Sequence, residues 1–206
     1  NAVLPLMAAA ILNNKKLQIL NVPYLSDSAT MAKLLESMGA KVVFDSDNSI
    51  LIDSSSLNDP FACYDLVKMM RASFYVLGPL IAKFRHAKVS LPGGCAWGPR
   101  PVDFHLEGLK ALGVDIKIEN GYVIADAKEL SGNSIHFPKI SVGATGNVVM
   151  AAVFAKGITT LTNAAAEPEI QQLCNMLNEM GAKIKGIGSN TLTIEGVESL
   201  NSINKI

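Results

Sequence analysis

The sequence predicts an α/β domain of three repeated units packed about a pseudo-threefold axis, with sheets outside and apolar helices within. Three observations carry this prediction. Amphipathic helical patterns end at a glycine and pass directly into a strand three times, over residues 31–42, 106–116 and 173–184. Upstream of each lies a segment that is apolar nearly all round, at residues 4–12, 75–84 and 147–155. Downstream of each glycine, two short strand-like runs flank a cluster of turn residues. One unit of about 70 residues has nowhere to hide an all-apolar helix, whereas three units around an axis bury theirs against one another. A linear stack of the units would leave those helices on a face too apolar to expose.

The elements follow in order. Unit one, roughly residues 1–60, has the apolar helix 4–12 and a strand at 17–20. Its second helix has Met31, Leu34, Leu35 and Met38 at i, i+3, i+4 and i+7. A hairpin then pairs 41–44 with 49–52 around Asp45-Ser46-Asp47-Asn48. Unit two, roughly 61–132, opens with a strand at 63–67. It continues through the helix 75–84, a strand at 87–91, a helix beginning near Pro101, and a hairpin of 115–118 with 122–125 turning at Glu119-Asn120-Gly121. Unit three, roughly 133–200, has a strand at 135–138, the helix 147–155 and a strand at 158–162. Its second helix carries Ile170, Leu173, Cys174 and Leu177 on one face, and its hairpin joins 183–187 to 191–195 through Gly188-Ser189-Asn190. Gly39, Gly113 and Gly181 are the expected helix C-caps, where glycine tolerates left-handed backbone. The opening unit lacks a counterpart of the strands at 63–67 and 135–138, so that strand is expected to be absent or donated from outside the chain. Because the units share one core, residues 1–206 are read as a single domain.

Composition narrows the function classes. Hydrophobic residues make up 49% and charged residues 17%, which indicates a packed globular chain rather than a disordered one. Lys+Arg and Asp+Glu are both 18, so bulk charge supports neither a nucleic-acid nor an anionic-membrane partner. Cys63, Cys95 and Cys174 form no close pair and no metal-type spacing, which points to a reducing, cytoplasmic setting. No apolar run approaches the roughly 20 residues of a membrane span. His86, His105 and His136 are dispersed and read as structural, while His105, one turn past Arg100, is also a candidate to border the site.

The chemistry concentrates between two patterned segments, in Leu91-Pro92-Gly93-Gly94-Cys95-Ala96-Trp97-Gly98-Pro99-Arg100-Pro101-Val102-Asp103. Adjacent glycines and spaced prolines make this a loop. Its thiol, Cys95, has Arg100 five residues on and a helix N-terminus beyond. Such surroundings lower a thiol pKa and suit proton transfer or covalent chemistry.

Five motifs, in order, then resemble one family: residues 64–73, Ser90-Leu91-Pro92-Gly93-Gly94-Cys95, Gly98-Pro99-Arg100-Pro101-Val102-Asp103, Ser141-Val142-Gly143-Ala144-Thr145, and residues 163–170. Together they look like the UDP-N-acetylglucosamine 1-carboxyvinyltransferases, over essentially the whole chain. The resemblance implies an inside-out α/β barrel of three βαβαββ-type repeats, one of two domains in the family. It implies transfer of the enolpyruvyl group of phosphoenolpyruvate to the 3′-hydroxyl of UDP-N-acetylglucosamine, without a metal or other cofactor. The partners implied are those two small molecules and a second domain of the same polypeptide.

By the same resemblance Cys95 is the proton donor. Asn1, Arg71 and Arg100 bind phosphoenolpyruvate, and a lysine would immediately precede Asn1. Arg71, Arg100, Pro101, Val102, Asp103, Phe104, Lys139, Ile140, Ser141 and Val142 line the nucleotide sugar. Trp97 and Pro99 depart from the smaller residues usual in the family's loop. Three alternatives stay open: the sister enzyme acting on shikimate 3-phosphate, a thiol-dependent hydrolase or transferase, and a non-catalytic nucleotide-sugar-binding module. The sister lacks this Gly-Gly-Cys loop, and a thiol hydrolase needs a base beside Cys95 that the sequence does not name.

Overall fold

The computed structural model describes residues 2–92 and 102–206. It contains three sheets that share one strand order. In the second unit, β4 (Phe61–Ala62), β5 (His86–Ser90), β6 (Asp115–Glu119) and β7 (Tyr122–Asp126) lie in the order β4-β5-β7-β6. In the third, β8 (Ser134–His136), β9 (Ile158–Thr162), β10 (Lys183–Lys185) and β11 (Thr191–Glu195) lie as β8-β9-β11-β10. The first sheet, of β1 (Lys16–Ile19), β2 (Lys41–Phe44) and β3 (Ile50–Asp53), has the order β1-β3-β2. The leading pair is parallel in the two complete sheets, β4 with β5 and β8 with β9, and the other pairings are antiparallel.

The strand that the opening unit lacks comes from the end of the same chain, not from outside it. Gln18 N–H donates to Asn204 O at 2.9 Å, Leu20 N–H to Ile206 O at 2.9 Å, and Ile206 N–H to Gln18 O at 2.9 Å. The bridge between Gln18 and Lys205 is parallel, as in the other two units. The buried side chain of Asn13 holds the approach, since its Oδ1 accepts from Ile203 N–H at 2.9 Å and its Nδ2 donates to Ile203 O at 3.1 Å. The ring of units thus closes on itself.

A second correction concerns residues 63–67, which form a helical turn, α3 (Tyr64–Val67), rather than a strand. Val67 and Lys68 donate their N–H groups to Cys63 O and Tyr64 O, and Asp65 sits in the first turn with Lys68 Nζ 2.7 Å away. Pairing with β5 falls to Phe61 and Ala62, just before it. Cys63 is therefore a half-buried residue at a helix start rather than the first residue of a strand.

The helices sit inside. α1 (Val3–Ala9) continues as a 3-10 turn through Leu12, and its residues from Pro5 to Leu12 are all buried. α4 (Leu77–Phe84) is preceded by a 3-10 segment, Arg71–Val76, so this helix begins earlier than its apolar run. α6 (Val142–Ala152) is buried from Ala144 onward. α4 meets α6 so closely that a Cβ on Gly78 would fall 2.2 Å from Asn147 O, which is why the position is glycine. The outer helices, α2 (Ser26–Ser37), α5 (Asp103–Ala111) and α7 (Pro168–Glu179), bury one stripe each. Burying each large aliphatic side chain contributes about 1.5–3 kcal/mol.

Each outer helix ends the same way. Gly39, Gly113 and Gly181 have φ of +101°, +92° and +97°. The following residues, Ala40, Val114 and Ala182, donate back to Leu35, Leu109 and Leu177, which satisfies carbonyls that helix ends leave open. Beyond each hairpin the chain returns, and Asn58, Ser131 and Asn201 donate to the carbonyls of Met38, Leu112 and Met180.

Candidate functional site

A cavity of about 350 Å³ opens where the helices begin, lined by Leu4, Arg71, Ala72, Phe74, Tyr75, Val102, His105, Gly143 and Glu169. Leu4 is in the first turn of α1, Arg71 opens the segment leading into α4, and Gly143 is in the first turn of α6. Val102 and His105 belong to the start of α5, and Glu169 to the start of α7. Helix N-termini present unpaired N–H groups and a partial positive charge, so this end of the domain favours an anion. Ser141 uses its side chain to cap α6, accepting from Ala144 N–H at 3.3 Å.

Arg71 is half-buried at the cavity wall and supplies its guanidinium. Two acidic side chains of the α7 start, Glu169 and Glu167, face Tyr75, whose phenol is pushed well above its ordinary range by burial first and by those carboxylates second. His105 is only 7% exposed. Its imidazole is held down to about 3 by burial, with Arg71 adding to the effect, so it is neutral at physiological pH. Phe74 packs edge to face on the His105 ring, with centroids 5.2 Å apart. Gly143 gives the ring room: a Cβ there would lie 2.9 Å from Cε1 and 3.1 Å from Nε2 of His105.

Of the residues singled out from the sequence, Arg71 and Val102 line the cavity, and Ser141 and Val142 lead into Gly143. Asp103 and Lys139 are exposed, and Ile140 is 57% exposed. Phe104 is half-buried and stacks on Phe137 at 6.2 Å, so helix packing is a role the structure gives it. Asn1, Cys95, Arg100 and Pro101 lie outside the described residues. Leu4, Phe74, Tyr75 and Glu169 were not singled out as ligand contacts from the sequence. The signals that could have found them are the positions flanking predicted helix starts. Cys174 is fully buried, as its place on the apolar face of α7 predicts.

The profile of the EPSP synthase (3-phosphoshikimate 1-carboxyvinyltransferase) family matches residues 1–206. The chain is 54% identical over 203 residues to "UDP-N-acetylglucosamine 1-carboxyvinyltransferase" of Ruthia magnifica subsp. Calyptogena magnifica, covering 98% of this chain and 48% of that protein. It is 56% identical over 206 residues to the protein of the same name from Chloroherpeton thalassium, again 98% of this chain and 48% of the relative. The chain thus spans about half the length of the curated relatives it matches. Among solved structures, the enolpyruvyl transferase NikO from Streptomyces tendae superposes with a TM-score of 0.86 at 23% identity, covering 100% of this chain and 49% of that one. EPSP synthase from Acinetobacter baumannii does so with a TM-score of 0.75 at 15% identity, covering 100% and 48%.

Proposed function

Because the chain belongs to the EPSP synthase family of enolpyruvyl transferases, we propose that it is one domain of an enzyme that moves the enolpyruvyl group of phosphoenolpyruvate to the 3′-hydroxyl of UDP-N-acetylglucosamine. That reaction is the first committed step of peptidoglycan precursor synthesis, and its setting is cytoplasmic. The observation that carries the reading is the cavity in which Arg71 meets the starts of several helices. Both substrates are anions, and a charge-assisted hydrogen bond from a guanidinium to phosphate or carboxylate contributes about 1.5–3 kcal/mol.

The chemistry requires a proton at the vinyl CH₂ carbon while the hydroxyl oxygen attacks the neighbouring carbon and gives up its own proton to a base. The tetrahedral intermediate then expels phosphate as the methyl carbon, protonated in the first step, gives up a proton and the double bond is restored. Cys95 is the proton donor in this scheme, with Arg71, Arg100 and Asn1 around phosphoenolpyruvate. Arg71, Arg100, Pro101, Val102, Asp103, Phe104, Lys139, Ile140, Ser141 and Val142 form the nucleotide-sugar side. The base and the opposing wall of the cleft come from the second domain, in the half of the relatives' length that this chain does not span. Closing two domains over the substrates excludes water and completes the phosphate pocket.

The reading with shikimate 3-phosphate as acceptor is the competitor within the family. The Gly93-Gly94-Cys95 loop and the names of relatives at 50–56% identity favour the nucleotide sugar. Phosphate release by the full-length protein, given phosphoenolpyruvate with each acceptor in turn, decides between them. Release is expected with UDP-N-acetylglucosamine; release with shikimate 3-phosphate alone would replace this reading by its sister.

A further inference from the structure

Asn147 is a polar residue in a helix otherwise buried among apolar neighbours, and it is fully buried itself. Its amide orientation is fixed by two backbone groups of known polarity. Oδ1 accepts from Gly78 N–H at 2.5 Å, and Nδ2 donates to Phe74 O at 3.0 Å. Turning the amide over would face oxygen to oxygen and nitrogen to nitrogen, leaving buried groups unpaired. The second N–H of Nδ2 therefore points at His105 Nδ1, 2.8 Å away. That ring nitrogen must accept, so in the neutral ring the proton sits on Nε2. A second proton, on Nδ1, would set two donors against each other.

The Nε2–Cε1 edge of the ring lies over Gly143, which shares the cavity wall with His105 and Arg71. Among the described residues, the other ionisable groups at or near this wall are Tyr75, Glu169 on α7, and Glu167, whose charge also acts on Tyr75. We infer that His105 is locked in its Nε2–H tautomer as a hydrogen-bond donor to a phosphate or carboxylate oxygen held beside Arg71, and that Asn147 is the positioning residue that fixes this tautomer. The inference rests on the proposed enolpyruvyl-transfer reading only for the identity of the ligand. A donor that never gains or loses its proton binds an oxyanion without competing for the protons that the reaction moves. His105 is in this role neither general acid nor general base.

The test is a long-range proton–nitrogen correlation spectrum of the full-length protein labelled at its histidine rings, with His105 assigned through the His105→Gln variant. From pH 5.5 to 8 the His105 signals are expected to show protonated Nε2 and bare Nδ1 without change. Inorganic phosphate is then titrated in, with saturation followed by phosphorus line broadening, and the Nε2 resonance is expected to move. A protonated Nδ1, a titration in that range, an Nε2 signal unmoved at saturation, or no phosphate binding would each overturn the inference. None of these outcomes depends on which acceptor sugar or acid the enzyme uses.

Kinetics give the second readout. His105→Phe is expected to raise the KM for phosphoenolpyruvate roughly tenfold or more. His105→Gln, which keeps a donor near Nε2, should recover most of that loss, and equal losses in both would overturn the donor role. Asn147→Asp turns an acceptor toward Nδ1 and should change the pH dependence of the KM relative to the wild type. If that variant fails to fold, the spectrum of the wild type still decides the tautomer.

Discussion

The backbone N–H of Ile206 donates to the carbonyl of Gln18 at 2.9 Å, across the edge where the last residues close the first sheet. Asn13 anchors the same tail through both faces of its amide. Ile206→Pro removes the donor, and Asn13→Ala takes the side-chain partner from the N–H and C=O of half-buried Ile203. Each is expected to destabilise by about 1–3 kcal/mol. Because either change releases the tail, the double variant should cost less than the two together. Urea midpoints of the three variants check this, and strict additivity would mean that the tail does not act as one strand.

The three cap glycines are expected to tolerate alanine unequally. All have positive φ, so each substitution costs about 1 kcal/mol or more in backbone strain. A Cβ on Gly39 would fall 2.9 Å from Ser56 O, on Gly181 3.1 Å from Asn201 Nδ2, and on Gly113 no nearer than 3.4 Å to Glu129 O. The expected order of destabilisation is therefore Gly39, Gly181, Gly113, read as loss of thermal midpoint.

Acid should find His105. Its folded pKa of about 3 is below its ordinary 6.5, so the unfolded chain binds the proton more readily. The stability this gives is present above pH 6.5 and is lost as pH falls toward 3, with a slope approaching about 1.4 kcal/mol per pH unit. His105→Gln should flatten the acid limb of the stability curve over that window, measured by denaturant unfolding at successive pH values. An unchanged limb would mean that the ring is protonated in the folded protein.

Thiol reactivity should separate the cysteines. Burial pushes the Cys174 thiol up to about 12, so it stays protonated and shielded at neutral pH. Cys95 is expected to be alkylated first by a small anionic epoxide, Cys63 more slowly, and Cys174 only after unfolding. Peptide mass mapping after brief treatment of the full-length protein reads the order, and early modification of Cys174 would contradict it. Cys95→Asp should keep a proton donor and remove alkylation at that position.

The fold was legible where periodicity and punctuation agreed. Met31, Leu34, Leu35 and Met38 mark α2, Gly39 ends it, and all four apolar residues are buried. Residues 63–67 were not legible, because five residues with mixed polarity fit a strand edge or one helical turn equally well. The closing strand was hidden for a different reason: nothing local in Asn204-Lys205-Ile206 says that its partner is Gln18. Arg71 and Val102 were found by motif, and the structure brings both to the cavity. Asn147 escaped notice because an apolar helix pattern treats a single amide as a blemish, and only three-dimensional neighbours reveal its three hydrogen bonds.

The cavity at the helix starts has a consequence for how a ligand is seated. A pocket with true threefold symmetry would accept one ligand in three equivalent orientations, and at most one of them could place a given carbon beside a given acid. Here the like units contribute unlike groups to the same wall: an aliphatic Leu4 from the first, the guanidinium of Arg71 and the imidazole of His105 from the second, and the bare backbone of Gly143 and the carboxylate of Glu169 from the third. The scaffold repeats, but its chemistry does not. Orientations that three like groups would leave equivalent are inequivalent against this wall.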